Sequence, residues 1–239
     1  QPIRDFYDEY TNSETTVGDL ASMASGLDWI ESYTSPFSVT ARANYDDDLA
    51  ETILNQKVTS TPGVAYKYLS GNTQLLGMII QKASGKQLAS YLSESFWKPM
   101  GSVNDALWQL DDNENRLAKA FCCISSNAKD FARFGKLYKD HGKWNGKQLL
   151  DSTFVAKSIN PRFTKSPEYG YGWWLKEQNG KQFFMMRGHL GQYVIVQPED
   201  NVIIVRLGHH KSTDEGKPTF TEDISTYIDE AYNMLNNKS

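Results

Sequence analysis

From Tyr169 onward the spacing of apolar residues changes from helical to alternating, and this switch limits the folds open to the chain more than any other feature. Tyr169 to Glu177 and Lys181 to Arg187 read as strands flanking Asn179-Gly180, a pair that favours a tight hairpin turn because both residues accept positive φ. Gln192 to Gln197 and Val202 to Leu207 follow, separated by a second turn at Pro198-Glu199-Asp200-Asn201. The spacing then predicts a closing helix from Glu222 to Leu235, with Ile224, Tyr227, Ile228, Ala231 and Leu235 on the face that packs against the sheet.

Upstream, the same reading gives helices. Thr16 caps a short one reaching Ala24, and the carboxylates Asp46 to Asp48 stand where they favour a helix start ahead of Leu49, Ile53 and Leu54. Asn72 to Ser84 carries Leu75, Leu76, Ile79, Ile80 and Ala83 on one face and stops at Gly85. Another helix runs from Gln87 to about Trp97, closed by Pro99. The next begins near Ser126 and turns Phe131, Phe134, Leu137 and Tyr138 inward until Gly142. Helices followed by an antiparallel meander and a covering helix make an α+β domain. We expect one domain over 1–239, mainly helical over 1–160, with the strands and last helix in 161–239.

Composition narrows the function. With 39% hydrophobic and 13% aromatic residues the chain can bury a sizeable core. A net charge of −4 with no basic cluster interleaved with aromatics argues against nucleic acid and suits a small or peptide-like substrate. No apolar run approaches the roughly 20 residues that span a bilayer. The four histidines show no metal-ligand spacing, so neither a metal nor another cofactor is expected. The two cysteines, Cys122 and Cys123, are neighbours and read as free and buried, since a bond between them would strain the backbone.

Two segments place polar groups and glycine at the ends of apolar elements: Tyr66-Lys67-Tyr68-Leu69-Ser70-Gly71-Asn72 and Arg187-Gly188-His189-Leu190-Gly191-Gln192. Alone, Tyr68 reads as a core ring with a tied hydroxyl, and His189 as a satisfied histidine. Together and in order they resemble the β-lactamase and penicillin-binding-protein family, especially its class C β-lactamase, carboxylesterase and 6-aminohexanoate-dimer hydrolase branch. Tyr68-Leu69-Ser70 matches the family's Tyr-x-Asn or Tyr-x-Ser element at the expected distance before Leu75-Leu76-Gly77, and His189-Leu190-Gly191 matches its Lys-Thr-Gly or His-x-Gly. Thr16 to Leu27, Pro62-Gly63, Lys98-Pro99-Met100-Gly101, Asp130 to Gly135 and Tyr169 to Trp174 add further matches, so the resemblance covers nearly the whole chain.

The resemblance implies a β-lactamase/transpeptidase-like fold and acyl transfer through an acyl-enzyme on an amide, ester or peptide-like substrate. Tyr68 is then the proton carrier, His189 and Ser70 its catalytic neighbours, and the backbone N–H of Gln192 the oxyanion donor. Asn72, Gly191, Arg187, Trp173 and Trp174 are candidate substrate contacts, with core packing the alternative for the two tryptophans. Ser70 and His189, in place of asparagine and lysine, point to esterase or amidase chemistry rather than penicillin hydrolysis, because that lysine helps hold the substrate carboxylate.

The family's nucleophilic Ser-x-x-Lys belongs several tens of residues upstream of Ser25-Gly26-Leu27, which places it, and the N-terminal strands, before Gln1. With 21 serines and 18 lysines, about 1.6 such strings arise by chance, and two occur, Ser95 to Lys98 and Ser126 to Lys129. Ser126 reads as a helix cap rather than the nucleophile of a rearranged site. The isolated chain is therefore expected to be inactive, with the missing segment or another chain covering the open sheet edge. A non-catalytic, penicillin-binding-protein-like binding module is the competing reading. The resemblance favours a periplasmic or secreted protein.

Overall fold

The computed structural model describes residues 1–112, 114–210 and 219–237, which form two compact units. The first comprises Gln1–Gly101 and Asp105–Ser125; the second Ser102–Asn104 and Ser126 onward. The split at 125/126 falls within the stretch read as mainly helical, 1–160. The helix after Ser126 goes with the strands because its apolar face is part of their core.

In the first unit, α1 (Val17–Ala21), α2 (Val39–Tyr45) and α3 (Leu49–Leu54) surround α4 (Ser70–Ser84), followed by α5 (Leu88–Leu92), a π turn (Ser93–Trp97) and the short strands β1 (Leu107–Trp108) and β2 (Ile124–Ser125). Thr16 and Asp19 form a reciprocal capping box on α1, and Asp48, the last of the acidic triplet, caps α3 through Glu51 N–H at 2.8 Å. Gly85, at φ 66°, ends α4 as expected. Leu75, Met78 and Ile79 of α4 pack with Ile3, Leu20, Trp29, Leu49, Ile53 and Leu69. Ala83, expected inside, is exposed, while Gln74 is buried. The Gln74 amide bridges Ala118 C=O and Ala120 N–H at 3.0 and 2.7 Å, which satisfies it without water.

Cys122 and Cys123, expected to be free and buried, are instead joined to each other; the first is half-buried and the second exposed. The turn permits this: Cys123 sits at φ 76°, and the Trp108 indole donates to the carbonyls of Lys119 and Cys122.

In the second unit, α6 (Ala128–Lys139), the hairpin of β3 (Lys143–Trp144) and β4 (Lys147–Gln148), and α7 (Ser152–Ser158) precede an antiparallel meander. Its strands, β5 (Trp174–Gln178), β6 (Lys181–Arg187), β7 (Tyr193–Gln197) and β8 (Val202–Arg206), are paired in chain order. α8 (Glu222–Asn236) closes the chain's described part. Alternation sends Trp173, Leu175, Phe184, Val194 and Val196 towards Phe131 and Tyr138 of α6. On the other face Phe183 and Tyr193 meet Tyr232 and Tyr227 of α8. β7 is buried throughout because it is central and covered on both sides. Gly135 lets α6 lie close to the sheet: a Cβ there would stand 2.9 Å from Val196 Cγ2. Asn179 and Gly180 take φ of 52° and 72° at the hairpin, as the sequence requires.

Candidate active site

Leu69, at the N-cap position of α4, has no side chain able to accept the helix's first N–H groups. A carboxylate from another loop does this instead. Glu31 Oε2 accepts from the Ser70 N–H at 2.8 Å and from the Trp29 indole at 2.9 Å, while Oε1 accepts from the hydroxyls of Ser70 and Tyr33, both at 2.6 Å. The negative charge also lies at the positive end of the helix. Burial, and then the bond to Glu31, push the Tyr33 phenol well above its ordinary value, with the neighbouring Tyr68 adding to the same effect.

Tyr68 is half-buried on the extended stretch that enters α4. Its neighbours in sequence are fixed. The Lys67 N–H donates to Met23 C=O at 2.7 Å and its ammonium to Trp29 C=O at 2.9 Å, and Leu69 N–H meets Met23 Sδ at 3.5 Å. Asn72 is fully buried, accepting from Ser25 Oγ at 2.5 Å and donating to Met23 Sδ at 3.4 Å. Its amide thus braces the loop in which Met23 holds φ 58°. Both of its ends are engaged by protein.

In the second unit, His189-Leu190-Gly191 forms the connection between β6 and β7. Gly188 N–H donates to Gln192 C=O at 2.7 Å, and the Gln192 side chain accepts from Leu190 N–H and donates to Gly208 C=O, at 3.2 and 2.5 Å. Arg206 donates to Gly191 C=O at 2.6 Å. Gly191 sits at φ 86°, where a Cβ would fall 2.0 Å from Arg206 Nη1, so only glycine fits this turn. His189 is exposed at its apex.

Other candidates are used in packing. Trp173 meets Tyr138 at a tilt and Phe184 edge-to-face, with ring centres 4.5 and 4.9 Å apart, on the α6 face. Trp174 meets Tyr169 at 5.1 Å and Phe220 at 6.1 Å on the opposite face. Arg187 lies 4.8 Å over the Trp174 ring. In these contacts both tryptophan rings are packed against other side chains. Ser126 does not cap α6 as expected: Asn127 does, accepting from Asp130 N–H at 3.0 Å, and the buried Ser126 Oγ has no hydrogen-bond partner among the described residues. Glu31 and Tyr33 are not evident from sequence. The only signal is an isolated acid among Trp29, Tyr33 and the following loop, with no periodicity to mark it.

The family model described as Beta-lactamase matches residues 1–225. The 6-aminohexanoate-dimer hydrolase of Paenarthrobacter ureafaciens is 24% identical over 234 residues, covering 87% of this chain and 58% of its own length. A Bacillus anthracis structure described as a 6-aminohexanoate-dimer hydrolase superposes with TM-score 0.79 at 23% identity, covering 98% of this chain and 65% of that one. A family VIII carboxylesterase superposes with TM-score 0.68 at 17% identity, covering 97% and 75%. These structures share the β-lactamase/transpeptidase-like α+β fold. The chain spans 58% and 65% of the two 6-aminohexanoate-dimer hydrolases it matches.

Proposed function

The chain belongs to the β-lactamase family, and from that premise we propose that it is part of a serine hydrolase cleaving an amide or ester bond through an acyl-enzyme. The observation that carries this reading is the Tyr68-Leu69-Ser70 element at the start of α4, with Ser70 fixed by two bonds to Glu31.

In the proposed reaction a serine attacks the carbonyl carbon and loses its proton, a tetrahedral oxyanion forms, and the leaving group departs with a proton. Tyr68 carries that proton between the serine and the leaving group. A phenol titrates near 10, roughly three units above neutrality, so it serves as a base only beside a cation. The lysine of the family's Ser-x-x-Lys supplies that cation. By the family resemblance His189 is a further catalytic group, Gln192 N–H the oxyanion donor on this chain, and Gly191 the residue that lets substrate approach the backbone. Ser70 hydrogen-bonds the substrate, whereas Asn72 acts by holding the Met23–Ser25 loop. Every step uses side chains and backbone N–H groups.

We assign the attacking serine and its lysine to the share of the family's length that these 239 residues do not span, which leaves the isolated chain inactive. Ser95 lies in the π turn, and Lys129 is exposed on α6, where Asn127 is the cap. The outer edge of β8, paired only with β7 among the described residues, is where we place the covering strand. Hydrolysis of a p-nitrophenyl acyl ester by the full-length protein tests the reading: Tyr68→Phe should lower kcat at least about 100-fold. Undiminished turnover by that variant would overturn it.

A further inference from the structure

A carboxylate has no proton to give, so the direction of every bond at Glu31 is settled by chemistry. The Ser70 N–H and the Trp29 indole donate to Oε2; the Ser70 and Tyr33 hydroxyls donate to Oε1. The Tyr33 phenol, held above its ordinary value, keeps its proton for that bond. Ser70 therefore commits its single hydroxyl proton to Glu31 at 2.6 Å, and what its oxygen retains are lone pairs, with the Tyr33 hydroxyl as its other hydrogen-bonding neighbour.

We propose that Glu31 fixes Ser70 as a hydrogen-bond acceptor and so biases the site towards amides over esters. The inference rests on the acyl-transfer reading, in which Ser70 contacts the substrate. An amide presents an N–H that the Ser70 lone pair can accept. An ester presents an oxygen at the equivalent place, so two lone pairs meet and no bond forms. Were Ser70 free to rotate, its hydroxyl would serve either substrate, as an unconstrained serine does. Glu31 is a positioning residue: it acts through Ser70, 39 positions away in sequence.

Glu31→Gln reverses the polarity while keeping the shape. With the amide oxygen in the Oε2 place, Trp29 and the Ser70 N–H keep their acceptor. The amide nitrogen, in the Oε1 place, then donates to the Ser70 and Tyr33 hydroxyls, which turn to accept. The Ser70 proton is released to point at substrate.

The test is a matched pair of substrates with one acyl group, its p-nitroanilide and its p-nitrophenyl ester, each measured as kcat/KM with the full-length protein. In Glu31→Gln the anilide-to-ester ratio should fall about tenfold, since one substrate loses a hydrogen bond and the other gains one. Ser70→Ala removes the acceptor without supplying a donor, and its ratio should fall about threefold. A general loosening of the site would slow both substrates together and leave the ratio unmoved. A Glu31→Gln ratio within twofold of the wild type overturns the inference while the hydrolase reading stands. If Glu31→Gln does not fold, an unchanged ratio in Ser70→Ala overturns it equally. Failure of the wild type to turn over either substrate overturns the hydrolase reading and this inference with it.

Discussion

The hydroxyl of Ser70 donates to Glu31 at 2.6 Å, joining the first turn of α4 to a loop 39 positions earlier. The same carboxylate, accepting from the Ser70 N–H at 2.8 Å, gives α4 the cap that Leu69 cannot supply and fixes the residue two positions after Tyr68. The position of Tyr68 is thus set from both sides, by Glu31 through Ser70 and by Met23 through Lys67.

Glu31→Ala leaves the Ser70 N–H and the Trp29 indole without their acceptor, beside residues that are 5% and 0% exposed. We expect a loss of about 2–4 kcal/mol in stability, from the two orphaned donors and the lost cap. Urea unfolding measures it, and a change under about 0.5 kcal/mol would show that water replaces the carboxylate.

Gly191→Ala puts a methyl group where Arg206 Nη1 now lies and strains a backbone at φ 86°. It should cost about 1–3 kcal/mol and displace Arg206 from the Gly191 carbonyl. Unfolding curves identical to the wild type would contradict the geometry given for the β6–β7 connection.

The bond between Cys122 and Cys123 has a sequence separation of 1 and closes no length of chain. A disulfide stabilises mainly by shortening the unfolded chain's loops, so this one should contribute little. Reduction and alkylation should add two alkyl groups by intact mass and shift the melting temperature by less than about 2 °C. Alkylation before reduction would refute the bond itself.

Burial raises the carboxyl of Asp130, but bonds from Asn127, Val103 N–H and Asn104 N–H, with the charge of Arg133, outweigh it and hold the group below its ordinary 3.8. A carboxyl depressed in the folded state contributes stability above the unfolded value, and this is lost as pH falls through the folded one. Stability should drop below about pH 4 and drop less steeply in Asp130→Asn, read from unfolding at stepped pH. Parallel curves would contradict the assignment.

Where local chemistry decides, the sequence is readable. β6 appears with its expected ends because Asn179-Gly180 imposes a hairpin, and α4 stops at Gly85. Asp48 caps α3 because a carboxylate before a helical run has few competing uses. The expected strand over Tyr169 to Trp173 is instead a local turn: Gly170 N–H donates to Trp173 C=O at 3.0 Å, Gly172 takes φ 84°, and Tyr171 N–H is drawn to Ser158 C=O at 3.0 Å. α2 and α7, seven residues each, are too short to show a period. The hairpin at Asn145-Gly146 has the same turn pair as β5–β6, but two-residue strands give no alternation to flag it.

The site divides in the same way. Tyr68, Ser70 and His189, the groups proposed for acyl transfer, stand out in sequence as residue types in the family's order. Glu31 is not, since its role exists only once a distant loop meets the start of α4. Asn72 looks like a substrate contact in sequence because an amide near Tyr68 has that use. Burial against Ser25 and Met23 gives it another.

The most direct test of the hydrolase account is mass spectrometry of the full-length protein after reaction with a fluorophosphonate probe. The account predicts one covalent adduct, on the serine of a Ser-x-x-Lys string outside these 239 residues, formed more slowly in Tyr68→Phe. No adduct, or an adduct on Ser126, would contradict it.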